Sequence, residues 1–136
     1  MAHGCPDVVS EPAGRMRGMI GRWHGLVVDC PDPQALASFY QELLGMIRLD
    51  DDPAWVTIGD APDRPGLAFQ RVADYRPPRW PDPAGPQHMH LDVAVPDLDK
   101  GEQQVLGHGA QVLPGGGATF RVYADPAGHP FCLVLT

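Results

Sequence analysis

The second half of the chain opens with HMHLDVAV, in which His88, His90 and Asp92 stand two residues apart. If this segment is a strand, the pleat sends those three side chains to one face and Met89, Leu91 and Val93 to the other. An imidazole beside a carboxylate in a partly closed pocket can act as a general base or anchor a polar ligand group. The same pair can also serve only as a hydrogen-bonded seam. Cys132 lies in FCLVL, where a thiol either binds zinc as thiolate or packs as a small hydrophobe. In the first half, WHGLVVDC carries His24 and Asp29, with alternation placing them on different faces, and Gln70 follows in LAFQRV. The acidic run Asp50–Asp52 is expected to be a solvated turn, because adjacent carboxylates diverge and the spacing is not that of a calcium loop. His108 and His129 read as surface residues, one ending a helix and the other in a DPAGHP turn.

These residues must be held by regular elements. Trp23–Cys30 is an apolar, β-branched run and reads as a buried strand. Asp32 is placed to cap a helix that begins at Pro33 and stops before Gly45. Within it, Leu36, Phe39, Tyr40 and Leu43 fall on one face. Met46–Leu49, Trp55–Ile58 and Leu67–Val72 follow as short strands. A shift of 65 residues then lays the second half on the first, with Leu26 on Leu91, Asp32 on Asp97, Trp55 on Phe120 and Asp60 on Asp125. The second half accordingly predicts a strand at His88–Val95, a helix at Leu98–His108 and strands near Gln111–Leu113, Thr119–Tyr123 and Phe131–Leu135. The fold class is α+β: two tandem βαβββ modules whose sheets pair about a pseudo-two-fold axis and leave a concave pocket. His88, His90 and Asp92, with Asp29 from the first module, are expected to face it. Trp55 and Phe120 are candidates for its lining or for the core.

Composition limits the function classes. The chain has 136 residues, 43% hydrophobic and 20% charged, enough for one globular domain. A net charge of −7 with scattered basic residues argues against nucleic acid. No apolar run approaches the roughly 20 residues that span a bilayer, so no membrane partner is expected. Three cysteines without a CxxC pair point to a reducing, cytoplasmic setting. Residues 1–20, with His3 and Cys5, read as a flexible arm, and Met16 or Met19 are alternative starts. The domain then spans 21–136: module one at 21–73, a connector at 74–87 and module two at 88–136. Five prolines stiffen the connector, and its Trp80 is placed to fold over the pocket or meet a second subunit.

DCPDPQALASFYQELLG, followed by HMHLDVAVPDL and YADPAGHPFCLVL, resembles the vicinal oxygen chelate superfamily of glyoxalases, bleomycin-resistance proteins and dioxygenases, most of all its glyoxalase-like subgroup. The resemblance covers Trp23 to Thr136. It implies paired βαβββ modules and, in catalytic members, a divalent ion held by His, Gln or Glu on the first and last strands of each module. His90 matches one such position. The equivalent in module one is Gly25, with His24 beside it; the last-strand positions fall on Cys132 and on Gln70 or Leu67. No tightly held metal or other cofactor is therefore expected. If zinc, nickel, manganese or iron does bind, His90, Gln70, His24 and Cys132 are the candidates. The leading expectation is a protein that binds a small organic molecule, by bleomycin-resistance-like sequestration or with metal-independent chemistry at His90 and Asp92. His88, Asp29, Trp55, Phe120, Trp80 and Gln70 would contact the ligand. The alternative is a metal-dependent lyase or isomerase of the glyoxalase type; a domain whose cup is filled by side chains is a third. The resemblance also implies a homodimer.

Overall fold

A computed structural model describes residues 20–136; residues 1–19, including His3, Cys5, Met16 and Met19, lie outside the described residues. Two βαβββ modules follow. Module one comprises β1 (Leu26–Cys30), α1 (Pro33–Leu44), β2 (Ile47–Asp52), β3 (Trp55–Ala61) and β4 (Arg64–Arg71). Module two comprises β5 (Leu91–Val95), α2 (Leu98–Gly107), β6 (Gln111–Val112), β7 (Phe120–Ala124) and β8 (Pro130–Leu135). Each forms a four-stranded mixed sheet, in the orders β1-β4-β3-β2 and β5-β8-β7-β6.

Local chemistry accounts for the helices. The Asp32 carboxylate accepts from the Ala35 amide at 3.3 Å, and Gly45 closes α1 at φ 71°, donating to the Gln41 carbonyl at 2.8 Å. Asp97 caps α2 in the same way, accepting from Lys100 N at 3.0 Å. Gly101 inside α2 weakens the helix but serves its packing. A Cβ there would stand 3.1 Å from Leu133 Cδ1, so glycine lets α2 lie close on β8.

Two expectations need correction. Asp50–Asp52 is not a turn: the three residues pair with Thr57, Val56 and Trp55 as the end of β2, and the turn follows them. The strand tolerates this charge because Gln34 donates to Asp51 at 2.7 Å and Arg48 adds a contact at 3.3 Å. Those two neighbours, the Gln34 amide first, hold the Asp51 carboxyl below its usual range. Nor is His129 a surface residue. It is half-buried, and its Nε2 lies 2.6 Å from the Asp29 carbonyl and 3.0 Å from the Tyr75 hydroxyl. Since a carbonyl only accepts, Nε2 carries the proton.

One hydrophobic core runs through both modules. Leu36, Phe39 and Tyr40 of α1 share it with Val56, Ile58 and Phe69 of sheet one and with Tyr123, Phe131 and Leu133 of sheet two. Tyr40 stacks on Phe69 at 5.6 Å while Phe39 meets Phe131 edge-on at 5.7 Å. The Tyr40 hydroxyl donates to Asp125 at 2.7 Å, and this carboxylate, only 4% exposed, also accepts from the Ala127 and His129 amides. Burial raises the Asp125 carboxyl above its ordinary range, against the hydrogen bonds that favour its charge.

Tyr40→Phe is expected to lower unfolding free energy by about 1–3 kcal/mol, because a buried carboxylate loses a donor; urea titration measures it. The raised folded-state carboxyl means that the folded chain binds the Asp125 proton more tightly than the unfolded one, so this group's contribution falls as pH rises from about 4 through the folded value. The stability of Asp125→Asn relative to wild type is therefore expected to improve as pH rises through that window.

Candidate functional site

Alternation separates two faces on each sheet. Leu26, Val28, Leu67 and Phe69 enter the core, so Val27, Asp29, Ala68 and Gln70 face the opposite, concave side. In module two, Leu91, Val93, Phe131 and Leu133 are core, leaving Asp92, Cys132 and Val134 on the concave side. The registers reveal an offset that the 65-residue repeat conceals. Val27 pairs with Ala68, whereas its equivalent Asp92 pairs with Cys132, so the counterpart of Cys132 is Ala68 rather than Leu67. The cause is a bulge in β4: Ile58 pairs with Leu67 and Gly59 with Pro65, leaving Gly66 as an extra residue, while Tyr123–Phe131 and Ala124–Pro130 run on regularly. By the same count Gln70 corresponds to Val134. Gly59 must be glycine, since a Cβ there would collide with the Arg64 carbonyl.

A cavity of about 690 Å³ lies on the concave side of sheet one, walled entirely by residues between Arg22 and Ala68. This cavity is walled by module one alone, whereas a smaller one, of about 240 Å³, lies between Phe39 and Leu43 of module one and Val93, Val105 and Leu133 of module two. Trp23, Val27, Leu49 and Trp55 give the larger cavity an apolar and aromatic wall; His24, Thr57, Asp60 and Arg64 supply polar groups. The Trp55 indole is fixed by donating to Thr57 Oγ1 at 2.9 Å. Gln70 donates to Asp29 at 3.1 Å, linking β4 to β1 on the same face.

The concave face of module two carries different chemistry. β5 begins only at Leu91, so His88 and His90 precede the strand rather than belong to it. His90 nevertheless turns to Asp92, with Nε2 3.2 Å from Oδ1. His90, Asp92 and Cys132 form one cluster whose ligating atoms all lie within 4.8 Å of one another. Cys132 is 7% exposed; burial first, then the Asp92 charge, pushes its thiol up. His88 and His24 are outside this cluster. Phe120, the counterpart of Trp55, pairs with Val134 and shares the face of Cys132. Trp80 donates to the Pro114 carbonyl at 2.7 Å and lies 3.9 Å from where a Cβ on Gly115 would be, so the connector folds onto module two rather than over the cavity. Sequence reasoning named Cys132 and Asp92 separately but missed that β8 pairs them. It also missed Thr57 and Arg64. A Pro65–Gly66 dipeptide inside a strand was the available sign of the bulge.

A family model described as a glyoxalase-like domain matches residues 25–134. The chain belongs to this glyoxalase-like family. None of the curated proteins matches the sequence. Among solved structures, a glyoxalase/bleomycin resistance protein/dioxygenase family enzyme from Burkholderia phytofirmans aligns at TM-score 0.62 and 15% identity, over 82% of this chain and 96% of that one. The fosfomycin resistance protein FosX from Listeria monocytogenes aligns at TM-score 0.64 and 11% identity, over 87% and 95%. A mutant of that protein, complexed with Mn(II) and 1S,2S-dihydroxypropylphosphonic acid, aligns at TM-score 0.62 and 12% identity, over 86% and 93%. These likenesses fix the fold: two tandem βαβββ modules of the vicinal oxygen chelate type.

A four-donor His/Gln/Glu metal centre does not fit the residues present. Module one offers Gly25 and Ala68 at the two strand positions, neither with a donor atom. A Cβ on Gly25 would stand 3.2 Å from the Gly66 carbonyl, so the bulge itself crowds the position. Gly25→His, which places an imidazole there, is therefore expected to cost about 1–3 kcal/mol by overpacking and to add no bound metal. Thermal melting and metal analysis of the purified variant check both parts.

Proposed function

We propose that the chain binds a small organic molecule against the concave face of module one and needs no four-donor metal centre to do so. The observation that carries this reading is the roughly 690 Å³ cavity, a size typical of small-molecule sites, in which two indoles and an aliphatic wall meet a few polar groups. A partly aromatic ligand would stack on Trp23 and Trp55 and direct its polar end to His24, Asp60 or Arg64. His90 and Asp92 remain the groups for any metal-independent acid–base step. A glyoxalase-type lyase or isomerase, the second reading, is favoured by the cluster at His90 and Cys132 and by the Mn(II) complex of the FosX mutant, whose fold this chain shares.

The proposal includes a homodimer. Trp23 is 76% exposed, and Val27 and Phe120 are also exposed on the concave sides of the two sheets, where a second copy would cover them. It also includes a cytoplasmic setting, consistent with Cys30 and Cys132 as free thiols. Among the described residues no helix is long and apolar enough to cross a membrane.

Screening aromatic metabolites and antibiotics by thermal shift, with indole fluorescence as the second readout, tests the binding reading. A bound compound is expected to quench fluorescence, and Trp55→Ala to weaken it at least about tenfold through a loss of roughly 1.4 kcal/mol or more. Affinity unchanged in Trp55→Ala would place the ligand elsewhere. Val27→Glu is expected to shift the mass measured by light scattering from dimer to monomer.

A further inference from the structure

The smaller cavity, between α1, α2 and β5, lies on the helix side of the sheets rather than on a concave face. We propose that it is a second ligand site, shared by the two modules, which takes a small hydrophobic amine in its cationic form. It stands apart from the binding reading above, since the two cavities have no lining residue in common.

The apolar part of this cleft is set by the core, with Phe39 and Leu43 facing Val93, Val105 and Leu133. A volume of about 240 Å³ is room for roughly eight non-hydrogen atoms at about 30 Å³ each. Glu42, Gln104 and His108 form an exposed rim. Among the described residues the Glu42 carboxylate has neither a hydrogen bond nor an ion pair. A second source of negative potential lies beside it. The C-terminal halves of α1 and α2 both line the cleft, and neither helix has a basic residue in its last turn. The negative ends of two helix dipoles thus adjoin an unpaired carboxylate, and a cation is the complement.

The repeat shows which group the cleft lacks. On β1 the Val72 amide donates to the Cys30 carbonyl, so alternate residues bond β4 and Asp29 turns its backbone groups to the open edge. There the Asp29 carbonyl accepts from His129 Nε2 at 2.6 Å. On β5 the Thr136 amide donates to the Val95 carbonyl, so Ala94, the counterpart of Asp29, also turns its backbone outwards. Ala94 points its side chain to the concave side and therefore lines the cleft with backbone atoms. Arg64, the counterpart of His129, stands instead in the wall of the larger cavity. Among the described residues no donor reaches the Ala94 carbonyl. An ammonium, with three N–H donors and a positive charge, supplies both this carbonyl and Glu42, while its aryl or alkyl end fills the apolar part. Bound there, it ties α1 of module one to α2 and β5 of module two.

The full chain, isotope-labelled, is titrated with benzylamine at about pH 8, where an ordinary imidazole is neutral, and followed by amide chemical shifts. Saturable shifts at Glu42, Ala94, Val105 and His108 are expected, with a dissociation constant of about 0.1–1 mM for so small a ligand. Benzyl alcohol, of equal size but uncharged, and benzoate, of opposite charge, should bind about fivefold more weakly or less, the upper end of what one exposed ion pair contributes. Glu42→Gln should weaken benzylamine by a similar factor without weakening benzyl alcohol. Gln104→Lys, which brings an ammonium of the chain's own to the rim, should abolish benzylamine binding. Both substitutions lie at exposed helix positions, and circular dichroism establishes that each variant is folded; if Gln104→Lys is not, Glu42→Gln decides the matter. Shifts confined to Trp55 and the walls of the larger cavity, no saturable shifts at all, benzyl alcohol or benzoate bound as tightly as benzylamine, or undiminished affinity in folded Glu42→Gln or Gln104→Lys would overturn the proposal.

Discussion

The contact on which the rest depends is the hydrogen bond from Tyr40 to Asp125. A carboxylate taken out of water is costly unless its oxygens are occupied, and three donors occupy this one: the Tyr40 hydroxyl and the Ala127 and His129 amides. The two amides belong to Asp125's own turn, but the hydroxyl comes from α1 of the other module. Module two therefore carries a buried charge that is fully satisfied only when module one is docked. The surrounding aromatics then act on a fixed geometry, with Tyr40 stacked on Phe69 and meeting Phe131 edge-on. His129 and Tyr75 close the same seam from its polar side. Docking through α1 commits the inner face of each sheet to one shared core.

On those sides the repeat gives equal topology and unequal chemistry. A sheet position can change on one face without disturbing its neighbours on the other, because successive side chains point oppositely. Leu67 and Phe131 are equivalent and both core; Ala68 and Cys132, one residue on, are equivalent and share no chemistry. The bulge at Gly66 adds a second difference, bringing the β4 carbonyl against Gly25 and closing module one to a first-strand donor. The bulge and the cavity thus belong to the same face, and the donor cluster belongs to the other sheet.

Much of this was legible where the governing interaction is local. Asp32, Pro33 and Gly45 delimit α1, and the repeat correctly paired Trp55 with Phe120, because caps and apolar spacing are written in adjacent residues. Legibility failed where partners come from distant segments. Asp50–Asp52 reads as a turn until Gln34 and Arg48 are seen beside Asp51 and the run is seen paired along β3. His129 reads as a turn residue until Asp29, 100 positions away, is found against its ring. Cys132 and Asp92 stood as unrelated candidates because only the β5–β8 register makes them neighbours. A one-residue insertion is invisible to a fixed shift, so the count of 65 held for β1 and β3 and failed along β4.

The same failure explains why family membership alone left the site open. Aligning by motif assigns donors to positions, and a missing donor then reads as a missing function. Sheet geometry assigns donors to faces, and on the concave face of module two an imidazole, a carboxylate and a thiol meet although only two occupy the family's positions. Asp92 enters through the pleat, as the next residue on that face after His90. The physical unit that selects a ligand in this fold is the face of one sheet, and the two faces of this chain have taken different chemistries.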